Sequence, residues 1–202
     1  MLNLRVRPAL AHLVDPVATA LLRAGVHPDA VTVAGTLGVV TGSLVLFPRG
    51  LFFAGTAVVF LSVLTDLLDG AMARKLGRTS RFGAWLDSTC DRVADAAIFS
   101  GLVLWFLGDG DSTTLGAVAL FCLVAGSTVS YAKARAEGLG LTCDVGLAER
   151  AERLIIVLLG TLLIGLGLDL ALAVALWLLA AATAITVVQR LVEVRRQTDS
   201  SS

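Results

Sequence analysis

The chain has 202 residues, 56% of them hydrophobic and only 16% charged, and its mean hydropathy is +0.86. Lys and Arg total 16, balanced by 16 Asp and Glu, so the net charge is zero. This profile excludes a chain built around one large soluble core, gives no bulk basic charge for nucleic acid, and predicts an integral membrane protein.

Residues 2–24 read as an amphipathic helix. Leu2, Leu4, Leu10, Leu13, Val14, Val17, Leu21 and Leu22 recur at near-helical spacing, with Arg5, Arg7, His12, Asp15 and Arg23 between them. So many charges rule out a span, and an interfacial helix lying on the membrane fits better than a soluble cap. The stretch has no long uninterrupted apolar core, so no cleavable signal peptide is expected. Six apolar segments follow, near residues 29–47, 51–75, 82–107, 113–138, 149–168 and 170–195. Each is close to the ~20 residues needed to cross a bilayer. Pro48-Arg49-Gly50, Lys75 to Arg81, Gly108 to Ser112, Gly138 to Gly146 and Gly165 to Asp169 punctuate them. The expected architecture is therefore all-α, with six transmembrane helices after an N-terminal interfacial helix, in one membrane domain covering residues 1–202. The cysteines Cys90, Cys122 and Cys143 form no CxxC pair and read as packing residues.

The charges give these spans a direction. Arg5, Arg7, Arg23, Arg74, Lys75, Arg78, Arg81, Arg150, Arg153, Arg190, Arg195 and Arg196 fall on the side shared by both termini. The other side has Arg49 as its one basic residue, beside Asp109, Asp111 and Asp169. The positive-inside rule places both termini in the cytoplasm, and the location expected is the plasma membrane.

Against this apolar background stand Asp66, Asp69, Asp87 and Asp91. A carboxylate at the centre of a membrane helix costs about 3 kcal/mol on insertion scales, so such acids point to function. Their i,i+3 and i,i+4 spacings put two acids on one face of each of two neighbouring helices. The short cytoplasmic connection predicts that those helices run antiparallel, with all four carboxylates converging in the cytoplasmic leaflet. An oxygen-only set suits a hard cation, Mg²⁺ or Mn²⁺. Gly70 and Gly83 beside the acids permit close approach of a ligand or another backbone, and Arg74 near the helix end has the fork geometry for phosphate.

The whole pattern from Asp66 to Asp91, D-x2-D-G-x2-A-R-x8-G-x3-D-x3-D, resembles without departure the signature of the CDP-alcohol phosphatidyltransferase family. That family consists of polytopic membrane enzymes that move a phosphatidyl or related group from a CDP-linked donor to an alcohol and release CMP. The resemblance implies that Asp66, Asp69 and Asp87 hold divalent metal, two ions in all, with Asp91 also near a metal and acting as the base on the attacking hydroxyl. It places Gly70 and Arg74 at the donor nucleotide. The run from Gly25 to Thr32 looks like the family's first-span start, which implies donor contacts at Asp29, Ala30, Val31 and Thr32, with another at Ser80. Pro28 and Asp29 are also an ordinary helix start.

Past the signature, the runs Ser130 to Glu137 and Ala148 to Ile156, with Gln189-Arg190, resemble actinobacterial members of the family whose acceptor is inositol phosphate. The donor implied is CDP-diacylglycerol, the acceptor inositol 1-phosphate, and the assembly a homodimer. Lys133, Arg135, Arg153 and Arg190 are the candidates for holding the acceptor phosphate. Three other readings compete. One is phosphatidylglycerophosphate synthesis or another acceptor with the same chemistry. The second is a divalent-cation transporter, which would place its acids nearer the midplane and between repeats. The third is a catalytically silent lipid-binding scaffold.

Overall fold

A computed structural model describes residues 14–77 and 80–199. The described residues are helical or irregular, with no strand among them. Helix α1 covers residues 14–23, α2 Pro28–Thr41, α3 Phe52–Val63, α4 Thr65–Lys75, α5 Arg81–Leu107, α6 Thr113–Glu137, α7 Arg150–Gly165 and α8 Leu170–Asp199. The first thirteen residues, including Arg5, Arg7 and the start of the expected interfacial helix, lie outside the described residues, as does Arg78.

Four helical segments are long and apolar enough to cross a membrane: Pro28–Arg49, Phe52–Lys75, Thr113–Glu137 and Leu170–Asp199. The expected third and fifth spans also form helices, but differ in a way their residues explain. Helix α5 has 27 residues and carries Asp87, Asp91, Arg92 and Asp95 along the stretch up to its middle. Helix α7 has 16 residues, a length of about 24 Å at 1.5 Å per residue, which is short of a ~30 Å hydrocarbon core.

The chain forms two compact units. The first comprises residues 1–42 and 57–94. Helix α1 presents Val14, Ala18, Leu21 and Leu22 to Val26 and Val31 and to Leu68, Ala71 and Met72 of α4, so its apolar stripe packs on protein. It ends in a Schellman motif. The Gly25 N–H donates to the Leu22 carbonyl and the Val26 N–H to the Leu21 carbonyl, both at 3.0 Å, with Gly25 at φ +78°. A side chain is strained in that conformation, which explains glycine there.

Helix α2 starts as its sequence predicts. His27 is the N-cap, accepting from the Asp29 N–H at 3.4 Å, and Pro28 fills the first turn. It packs against α4. A Cβ on Gly35 would lie 3.0 Å from the Ser62 carbonyl oxygen and 3.2 Å from Thr65 Cβ, and one on Gly42 would lie 2.9 Å from Val58 Cγ1. This glycine face sets the helix separation, as in other close-packed membrane helices. Gly35→Leu should therefore lower stability by about 1–3 kcal/mol through overpacking, read as a lower thermal midpoint in detergent.

The expected second span is interrupted. Helix α3 stops at Val63, Leu64 makes a turn, and α4 begins at Thr65, immediately before Asp66. Thr65 Oγ1 donates to the Ser62 carbonyl at 2.6 Å. A hydroxyl competing for helical carbonyls is a known cause of such breaks.

The second unit comprises residues 43–56 and 95–202. The first span ends there in a π turn, Gly42–Leu46, and a 3₁₀ turn, Phe47–Arg49. Helix α8 packs along both α6 and α7. Phe47, Ile98, Leu102, Val129, Val157, Leu172, Leu176 and Leu179 are almost wholly buried. One buried polar pair crosses this core, Thr56 Oγ1 donating to Thr161 Oγ1 at 2.7 Å. Two glycines allow close packing within the chain. A Cβ on Gly101 would clash with Ser43, and one on Gly126 would lie 3.1 Å from Arg153 Nε. All three cysteines are free thiols.

Candidate active site

All four aspartates fall in the first unit, Asp66 and Asp69 on α4 and Asp87 and Asp91 on the first turns of α5. Asp66 and Asp87 are close enough for their charges to bear on Asp69. Asp91 lies beside Arg92, with 3.8 Å between Oδ2 and Nη2. Among the described residues, no three His, Cys, Asp or Glu side chains are drawn together at ligand distances.

One of the residues expected at a donor touches this group. Thr32 Oγ1 donates to Asp69 Oδ2 at 2.5 Å, tying the start of α2 to α4. The Gly83 N–H donates to Ser80 Oγ at 2.8 Å, and a Cβ on Gly83 would lie 2.9 Å from that oxygen and 3.5 Å from Asp29 Oδ1. Asp29, Ser80 and Gly83 thus form one small polar patch, with His27 Nδ1 at 3.3 Å from Asp29 Oδ2. Arg74 is exposed, and its Nη1 would lie 3.4 Å from a Cβ on Gly70. That places the guanidinium over the glycine. Val31 has its side chain in the hydrophobic cluster with Ala18, Ala71 and Met72, while Ala30 is exposed.

The candidate acceptor cations all lie in the second unit. Lys133 donates to Asp144 Oδ1 at 2.5 Å. The ammonium holds the Asp144 carboxyl below the usual carboxylate range, so the pair is present at neutral pH and is lost only as pH falls through that lowered value. Arg153 is only 3% exposed, and donates from Nη1 to the Ala148 carbonyl at 3.0 Å and from Nη2 to Asp95 Oδ2 at 3.2 Å. Arg150 Nε lies 3.5 Å from the other Asp95 oxygen. Arg190 is buried as well, donating to the Val145 carbonyl at 3.0 Å, to the Val129 carbonyl, and to Glu149 Oε1 at 3.4 Å. Arg135 is exposed.

Asp95, Asp144 and Glu149 are thus partners that the sequence reading missed. Asp95 continues the spacing of Asp87 and Asp91 by another four residues, the signal that could have drawn attention to it.

A profile of the CDP-alcohol phosphatidyltransferase family matches residues 25–189, most of the chain. The chain belongs to this family. As a CDP-alcohol phosphatidyltransferase it is a membrane-embedded transferase, and the resemblance of its aspartate signature is borne out. It is 52% identical over 204 aligned positions to a phosphatidylinositol phosphate synthase of Streptomyces avermitilis, covering 98% of this chain and 84% of that one. To the synthase of the same name in Cutibacterium acnes it is 47% identical, covering 96% of this chain and 98% of that one.

The crystal structure of Mycobacterium tuberculosis phosphatidylinositol phosphate synthase with CDP-DAG bound superposes with a TM-score of 0.88. It shares 50% identity over 91% of this transferase and 94% of that chain. A second structure of that enzyme, in complex with manganese and citrate, gives a TM-score of 0.82.

The aspartates of this transferase fit a divalent cation by their chemistry. The donor set is all oxygen, and it gathers negative charge that a bound cation would relieve.

Proposed function

We infer that this transferase moves the phosphatidyl group of CDP-diacylglycerol onto inositol 1-phosphate and releases CMP. The observation that carries the reading is about 50% identity, over nearly the whole chain, to several phosphatidylinositol phosphate synthases, one of them solved with CDP-DAG bound.

In the proposed reaction Asp91 accepts the proton of an inositol hydroxyl as its oxygen bonds to the phosphatidyl phosphorus. The bond from that phosphorus to the CMP oxygen breaks, and CMP leaves with the electron pair. Asp66, Asp69, Asp87 and Asp91 would hold two Mg²⁺ ions, or Mn²⁺, which when bound neutralise the pyrophosphate oxygens and the charge gathering on the leaving group. Thr32 keeps Asp69 oriented through its hydroxyl, and Asp29, Ala30, Val31, Gly70, Arg74 and Ser80 make the donor contacts. Val31 can contribute through its backbone, since its side chain is in the core. Thr32→Val should raise KM for CDP-diacylglycerol severalfold, because Asp69 loses a hydrogen bond of the charge-assisted kind. Steady-state kinetics with the donor varied checks this.

For the acceptor phosphate we assign Lys133, Arg135, Arg153 and Arg190. Their support is the concentration of four cations in one unit, two of them buried. The family match from 25 to 189 runs through both units, which supports reading the chain as one membrane domain. Helices α5 and α7 complete six spans in this reading, with α1 continuing an interfacial helix, both termini in the cytoplasm, and the protein a homodimer in the plasma membrane. The charge bias along the sequence supports that topology.

The deciding experiment measures CMP release by the purified chain in detergent with CDP-diacylglycerol and either inositol 1-phosphate or glycerol 3-phosphate. Consumption of inositol 1-phosphate is expected. Turnover with glycerol 3-phosphate alone would overturn the acceptor assignment and leave the family chemistry standing.

A further inference from the structure

The connection from α6 to α7 has no regular structure between Leu141 and Glu149, yet one helix holds it along its length. Helix α8 presents Thr186, Arg190 and Gln197 towards it. Thr186 Oγ1 accepts from the Leu147 N–H at 3.1 Å and the Ala148 N–H at 3.0 Å, while donating to the Ala182 carbonyl at 2.8 Å. The hydroxyl therefore uses its one proton and both lone pairs. The threonine is fully buried, and its methyl sits against Gly146, where no side chain could be added without displacing it. At the other end of the connection, Gln197 pairs with the Thr142 backbone in both directions. Its Oε1 accepts from the Thr142 N–H at 3.0 Å and its Nε2 donates to the Thr142 carbonyl at 2.8 Å.

What this connection holds in turn gives the contacts their consequence. The Ala148 peptide is gripped on both sides, with its N–H on Thr186 and its carbonyl on Arg153 Nη1 at 3.0 Å. Two residues after Thr142, Asp144 takes the Lys133 ammonium. Moving the Ala148 backbone would take away one of the Arg153 acceptors, and loosening Thr142 would free the carboxylate that holds Lys133.

We propose that Thr186 and Gln197 are positioning residues for the acceptor phosphate, acting through the Ala148 peptide on Arg153 and through the Thr142–Asp144 backbone on Lys133. This rests on the assignment of Arg153 and Lys133 to the acceptor. Neither Thr186 nor Gln197 needs to touch substrate. A correctly placed guanidinium and ammonium are pre-organised for a dianion, and their displacement weakens acceptor binding more than donor binding.

The test uses the full chain in detergent, with KM and kcat determined separately for CDP-diacylglycerol and inositol 1-phosphate. Thr186→Val keeps the shape and removes the hydroxyl. It should raise KM for inositol 1-phosphate about tenfold with KM for CDP-diacylglycerol within twofold of the parent, and Thr186→Ser should restore the parent value. Gln197→Ala lies at a half-buried position near the end of α8, so it reports even if Thr186→Val fails to fold, and it should raise the same KM threefold or more. An unchanged acceptor KM in Gln197→Ala, or parallel losses for both substrates in a folded Thr186→Val that Ser does not reverse, overturns the proposal. Arg153→Ala and the parent are run alongside. A parent that ignores inositol 1-phosphate, or an Arg153→Ala variant with normal acceptor KM, refutes the acceptor assignment instead, so the two failures are told apart.

Discussion

Asp91→Asn should reduce turnover about 10³-fold while leaving CDP-diacylglycerol binding within a few-fold of the parent. The amide has the size of the carboxylate and cannot take a proton, and loss of a positioned general base costs 10²–10⁴-fold. Helix α5 places Asp91 within that helix, so the substitution should not disturb the fold. The readouts are the kcat for CMP release and the donor affinity measured by isothermal titration with no acceptor present. Near-parental kcat would remove Asp91 from the role of base. A collapse in donor affinity with little further loss in kcat would instead make it a binding group.

The second large effect concerns the cation. Asp69→Ala should lower activity at least 10³-fold and weaken Mn²⁺ binding at least tenfold, followed by electron paramagnetic resonance of the free ion during titration into the protein. Asp69 lies near the charges of both Asp66 and Asp87, and its oxygen is held by Thr32. Removing it takes away one of the proposed hard oxygen ligands and the residue that links α2 to α4. The Mn²⁺ titration separates loss of metal from loss of catalysis. Unaltered Mn²⁺ binding in Asp69→Ala, with activity lost, would show that the acid serves the reaction some other way.

Much of this was legible in the sequence because it rests on local rules. Helices Thr113–Glu137 and Leu170–Asp199 follow from long apolar runs with a polar start such as Ser112, which caps Leu115 N–H at 3.3 Å. The aspartate signature was readable because carboxylates in an apolar chain are costly and their spacing is helical. Four readings needed more than local rules. The break at Leu64 comes from the Thr65 hydroxyl choosing the Ser62 carbonyl, a competition that an unbroken apolar run conceals. The tie of Thr32 to Asp69 joins residues 37 apart, and those of Arg153 to Asp95 and Arg190 to Val145 join residues 58 and 45 apart. Such pairings depend on which helices end up neighbours. Cation counting found Arg153 and Arg190 but gave no sign that backbone carbonyls and acids already occupy them.

The division of the chain into two units has an evolutionary consequence. Every acid of the signature, and every residue assigned to the nucleotide-bearing lipid, falls within residues 14–94, whereas all four assigned cations lie beyond residue 94. On the proposed assignment, substitutions in the later part of the chain would retune which alcohol is accepted without touching the phosphorus chemistry encoded before it. Selection can act on the two properties separately, and a chimera joining the early part of this chain to the later part of a relative with another acceptor should inherit its alcohol from the second parent.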